Sequence, residues 1–120
     1  MATYVKVNDA QYAASITGRL NDKDWNDRAS KAITVAMSYA DAANIFVDDV
    51  SWSIVQENLV KYKEVDENGE VKLIEKVEIE SYDNSEYCIA GPITDHRNGI
   101  ITVKMGKYTN EELLLMEVLA

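Results

Sequence analysis

Two runs of alternating apolar residues face each other across a turn, and they constrain this chain more than any other feature. Tyr87, Ile89 and Ile93 mark the first run; Ile101, Val103 and Met105 alternate with Thr102 and Lys104 in the second. A period of two puts one set of side chains on one face of a strand. Between the runs lies Asp95-His96-Arg97-Asn98-Gly99. Asn and Gly accept positive φ, so the chain can reverse there and the runs can pair as a hairpin. Pro92 lacks the ladder donor, which predicts an edge strand or a bend.

The rest of the chain reads as more of the same sheet. Val5 and Val7 alternate with Tyr4 and Lys6 over residues 3–7, Asn8-Asp9 is a turn signal, and Tyr12, Ala14 and Ile16 share a face over residues 12–18. This predicts an N-terminal hairpin that Gly18 ends. Residues 21–30 are polar apart from Trp25 and read as a loop with room for one helical turn. Ile33, Val35 and Met37 predict a strand over residues 32–37. Ser38 and Asp41 stand in capping-box spacing, opening a helix through about Phe46 with Tyr39, Ala43 and Phe46 on one face. Trp52 and Ile54 mark a strand over residues 51–56. The core candidates are Val5, Val7, Ile16, Ile33, Val35, Phe46, Trp52, Ile54, Ile89, Ile101 and Val103.

Composition shifts between Glu57 and Glu86, where ten acids and four lysines give a net charge of −6. Asp66-Glu67-Asn68-Gly69-Glu70 is a turn signal, and residues 60–65 and 71–79 should pair around it. Lysines 61, 63, 72 and 76 can face glutamates across the ladder. Two readings stand: a charged β-hairpin arm at about 57–81 that projects beyond the core, or ordinary edge strands protected by their charges. Thr109 and Glu112 form a better capping box. The helix they open, Asn110–Leu119, carries Leu113, Leu114, Leu115, Met116, Val118 and Leu119, with Glu111, Glu112 and Glu117 as its charges. One sheet face cannot cover a helix that is apolar on most of its circumference. It is either packed within its own domain or met by another subunit or partner.

At 120 residues the chain makes one domain able to bury a core without disulfides or metal. Its net charge is −9. Twelve basic residues scattered among twenty-one acids exclude non-specific nucleic-acid binding and a membrane-surface role. Acidity of this kind means a solvated surface or attraction to a basic partner. Cys88 has no cysteine to pair with, which points to a reducing compartment. The sequence shows neither a basic-then-apolar leader nor an apolar run of the ~20 residues a membrane helix needs.

Catalytic chemistry finds little to work with. Asp22, Asp24 and Asn26 open like an EF-hand calcium loop, but its sixth and twelfth places hold Asp27 and Ile33 instead of Gly and Glu. Cys88 and His96 lack an orienting third group, and one of each excludes a zinc site of ordinary composition. There is no phosphate loop, no dinucleotide fingerprint and no nucleophile elbow. The expectation is no catalytic residue, no metal and no cofactor. The interaction candidates are Trp25, Arg28, Leu114, Leu115, Val118 and Leu119. Trp25, in a polar loop beside Arg28, has the make-up of an interface anchor, or it folds back to cap the sheet, with Arg28 reaching Asp24 if the segment is helical.

The segments DKDWNDRASKAITVAMSYADAANIFVDDVSWSIV and YDNSEYCIAGPITDHRNGIITVKMGK resemble a group of small uncharacterised proteins of phages and prophages of gut Firmicutes. The resemblance spans most of residues 1–108, and the 57–81 arm and last helix share least in it. It implies a phage gene product made in the bacterial host cytoplasm and brings no site residues with it. Small β-rich phage proteins are often virion parts or inhibitors of host defence, an analogy of genomes and not of sites. The expected fold is α+β: a mainly antiparallel sheet of about six to seven strands, with the option of curling into a barrel, one short internal helix and one C-terminal helix. The expected function is a non-enzymatic phage structural or accessory protein acting through a protein partner or as a homo-oligomer. The alternative is a small acidic inhibitor of host defence that binds a host protein or sequesters a small ligand.

Overall fold

A computed structural model describes residues 2–119. Its strands are β1 Ala2–Val7, β2 Ala10–Asp22, β3 Arg28–Val35, β4 Trp52–Val65, β5 Val71–Asp83, β6 Ile89–Asp95 and β7 Ile101–Gly106; its helices are α1 Tyr39–Ile45 and α2 Asn110–Leu119. The seven strands form one antiparallel sheet in the order β5-β4-β1-β2-β3-β7-β6. The sheet stays open between β5 and β6, so the fold is α+β without a barrel.

Strand β2 organises the core. Its residues Ala10–Ala13 pair with β1, whereas Ala14–Asp22 pair with β3. A strand that changes partner in this way makes a corner between two halves of a sheet and lets their inner faces meet. Val5, Val7 and Trp52 from one half join Ile33, Val35, Ile101, Val103 and Met105 from the other, with Ala42, Phe46 and Val50 from the α1 region. Trp52 Nε1 donates to the Tyr87 carbonyl at 2.9 Å, so the largest core side chain is also satisfied.

The β2–β3 hairpin is longer than its apolar pattern predicts. Gly18 does not end β2, which runs to Asp22, and β3 begins at Arg28 inside the stretch read as a loop. Only residues 23–27 turn, through a 3-10 helix and then Asn26 and Asp27 at positive φ. Residues Thr17–Asn21 are exposed, and a strand wet on both faces shows no hydrophobic period. Strand β3 ends at Val35, two residues short of the expected Met37. The Ser38 cap of α1 forms as expected, its Oγ accepting from Asp41 N at 3.1 Å. The inward residues are Ala42, Ile45 and Phe46, whereas Tyr39 and Ala43 are exposed. The helix packs beside β6 and β7.

Ile16 and Ile54 border the core without being buried in it, and Ile89 stays outside. The β6–β7 register shifts between Ala90 and Ile93, at Gly91-Pro92, on an edge strand. Ala90 and Ile93 therefore pack on the core in place of Ile89. At the opposite edge, β4 borders β1 up to Glu57; from Asn58 outward, among the described residues, it pairs with β5 alone. This two-stranded arm helps to stretch the molecule to 68 Å, with a radius of gyration of 19.2 Å, against about 14 Å for a compact chain of this length. Of the four arm lysines, Lys61 meets a cross-strand glutamate, Glu75, at 3.6 Å, and Lys72 reaches Asp66 in the turn at 3.8 Å. Lys63 and Lys76 lie opposite Leu73 and Val60.

Candidate protein-contact surface

Arg28 links two parts far apart in sequence, the Trp25 turn and the start of α2. The 3-10 turn lays the Trp25 ring over the backbone of β6 and β7. A Cβ at Gly91 would come within 2.6 Å of Trp25 Cη2, and one at Gly106 within 2.7 Å of Cζ3. A side chain at either glycine would meet the ring, and also the Lys104 carbonyl at Gly91 and Arg28 Cδ at Gly106, each at 2.8 Å. Trp25 is thus half-buried against the sheet, with the Arg28 guanidinium 5.0 Å from its ring centroid.

Arg28 does not pair with Asp24. Its Nη1 donates to Glu112 Oε1 at 2.7 Å and its Nη2 to Glu112 Oε2 at 3.0 Å, a bidentate fork. Nη1 also donates to the Lys107 carbonyl at 3.2 Å. Arg28 is buried, and its Nε has no partner among the described residues. Glu112 serves twice. Its Oε1 accepts from Thr109 N at 2.8 Å, while its own N–H donates to Thr109 Oγ1 at 3.2 Å, which completes the capping box. The Arg28 guanidinium, and after it the Thr109 N–H, hold the Glu112 carboxyl at about 2. Residues 26–29 and 107–112 also line an open recess of about 770 Å³.

Beyond that fixed first turn, α2 touches little. None of its described residues is buried. Leu114, Leu115, Val118 and Leu119 are 61%, 60%, 79% and 77% exposed, and Leu113 and Met116 are also open. Of the sequence-derived candidates, Arg28 anchors the helix, Trp25 lies beside Arg28 on the sheet, and the leucines stand uncovered on α2. A second uncovered surface was not singled out from sequence. Leu59, Val65, Val71, Leu73, Val77 and Ile79 of the arm are all more than half exposed. These positions alternate along the two strands, and the strand register brings them to one face.

Two polar clusters belong to the scaffold. Asp22 is fully buried and accepts from Lys104 Nζ at 2.7 Å and Ser30 Oγ at 2.9 Å, contacts that lower its pKa in that order. Lys31 donates to buried Asn84 and lies 4.7 Å from the Tyr87 ring centroid; burial lowers its pKa. Burial first, and Asp49 next, push the Cys88 thiol up. His96 Nε2 sits 2.8 Å from Thr102 Oγ1 at the exposed turn, remote in role from Cys88. Among the described residues no cluster of three or more His, Cys, Asp or Glu could hold a metal ion, and no helix is long and apolar enough to cross a membrane. Comparison with family models, with curated proteins and with solved structures returns no match.

Proposed function

We propose that this protein works by protein contact, as a non-enzymatic phage structural or accessory component made in the bacterial host cytoplasm. The observation that carries the reading is α2: its N-terminal turn is locked by the Arg28–Glu112 fork, while six apolar side chains along it face solvent. A helix apolar around most of its circumference is stable when something covers it, and patches of this kind mark interaction sites on soluble proteins. The phage assignment rests on the resemblance of the two long segments described above.

The test is the mass in solution, by size exclusion with light scattering, of the full chain and of a Leu114→Gln/Leu115→Gln/Val118→Gln variant. Point substitutions leave Glu112 in place for Arg28, which removal of α2 would not. The expected result is a defined oligomer that becomes a folded monomer in the variant. A monomeric full chain that the substitutions destabilise would make α2 part of its own fold and overturn the reading. The inhibitor alternative draws on the acidic 57–86 segment; it predicts binding to a basic host protein that weakens steeply with salt.

A further inference from the structure

Building on the assembly reading, we propose that α2 of one copy seats on the apolar face of the β4–β5 arm of a second copy, joining copies head to tail. Each chain carries both halves of this contact. Directly opposed residues of an antiparallel pair share a face. The register sets Leu59 opposite Val77, Val65 opposite Val71, Lys63 opposite Leu73 and Glu57 opposite Ile79, so the six apolar residues line one side of the arm. They are 55–66% exposed, and the six on α2 are 48–79% exposed. Aliphatic side chains of this size carry on the order of 100 Å² each, which gives each surface roughly 400 Å². That equals the largest patch on an ordinary monomer, ~300–600 Å², and here there are two.

The area suffices for a specific contact. At about 100° per residue, Leu114, Leu115, Val118 and Leu119 share one side of α2, so roughly 300 Å² of each surface meets and roughly 600 Å² of apolar area is buried. With the polar share usual at interfaces, the total reaches roughly 1,000 Å², the least a specific contact needs. The lengths also agree: α2 spans about 15 Å, and the strands beyond Glu57 run for about 25–30 Å.

Charge selects which surfaces meet. The only charged residues on α2 are Glu111, Glu112 and Glu117. Glu112 is held by Arg28, so two α2 helices packed together would gather four other acids, Glu111 and Glu117 of each, with no lysine or arginine on either helix. The arm face carries Lys61 and Lys63 against Glu57 and Glu75, so it has no net charge, and Lys63 lies opposite Leu73 with no acid across from it. A neutral seat with a lysine directly unopposed accepts the acidic helix, whereas like charge disfavours the helix pair. Arm-to-arm pairing through the free β5 edge would set a strand of net charge −2, with Glu75, Glu78, Glu80 and Asp83 against Lys72 and Lys76, beside its own copy, and charged edges of this kind resist pairing. Because helix and seat are different surfaces, the contact is heterologous, and copies add in sequence until a ring closes or a filament grows.

The experiment uses two full-length variants. One carries Leu59→Thr, Leu73→Thr, Val77→Thr and Ile79→Thr, which keeps strand formers on the arm. The other carries Leu114→Gln, Leu115→Gln and Val118→Gln, which keeps helix formers on α2. Masses are measured by light scattering for the wild type, each variant and their equimolar mixture, with circular dichroism as the check on folding. The expected result is a wild-type oligomer, two monomeric variants, and a mixture that forms a dimer, since one intact helix meets one intact seat. A wild-type oligomer whose variants stay monomeric when mixed overturns the head-to-tail contact and leaves assembly standing. An arm variant that still oligomerises alone overturns it too, in favour of helix pairing. A monomeric wild type overturns both. If a multiple variant loses its secondary structure, Leu73→Lys and Leu115→Lys take its place, with the same outcomes.

Discussion

Replacing Glu112 by glutamine should loosen α2 from the sheet, and the size of the effect can be worked out from the fork. The Glu112 carboxyl falls from 4.5 to about 2 in the folded chain. At about 1.4 kcal/mol per pKa unit, the full linkage would be roughly 3 kcal/mol. Its side chain is 38% exposed, and solvent screening weakens such a pair substantially, so about 1–2 kcal/mol remains. The sign follows from the direction of the shift. A depressed carboxyl pKa contributes stability that is complete above its ordinary value of 4.5 and disappears as the pH falls towards about 2. Urea unfolding, followed by tryptophan fluorescence at about pH 7 and about pH 2.5, measures the difference between wild type and variant. That difference should be about 1–2 kcal/mol at the higher pH and mostly gone at the lower. A double-mutant cycle with Arg28→Met should return most of it as coupling. Equal losses at both pH values, or fully additive effects of the two substitutions, would refute an ionic fork as the anchor of α2.

Gly106→Ala places a methyl group 2.7 Å from the Trp25 ring and 2.8 Å from Arg28 Cδ. It should cost about 1–3 kcal/mol and red-shift the Trp25 emission in a Trp52→Phe background. Ile33→Ala empties a fully buried site that faces Val103 across the β3–β7 ladder; a loss of about 2–5 kcal/mol in urea unfolding is expected. Cys88, half-buried and with its thiol pushed up by burial and by Asp49, should react with iodoacetamide near neutral pH more slowly than a free thiol in a peptide. A rate equal to the peptide's would refute that environment.

Local chemistry fixed much of this fold in advance. Alternating Ile101, Val103 and Met105 needed only a period of two and a turn to become β7. The capping residues Ser38 and Thr109 placed both helix starts, since a side-chain oxygen three residues ahead of an unpaired N–H is a local matter. The turn at residues 66–70 and the two-stranded pairing around it were equally legible, while whether the pair projects as an arm stayed open between two readings. Tertiary structure decided whatever depends on contacts distant in sequence. The wet upper half of β2 carries no apolar signal and is a strand because β3 pairs with it. The bulge at Gly91-Pro92 exchanged Ile89 for Ala90, because one extra residue on an edge strand turns its faces over. Arg28 and Glu112 are 84 residues apart, and no spacing rule joins them. Their meeting depends on where β7 ends. The Trp25 ring likewise selects Gly91 and Gly106 by contact through space. The chain's own pattern thus announced an apolar last helix, but only the folded sheet showed that it is held at one end and uncovered along its length, because burial is a property of what surrounds a residue.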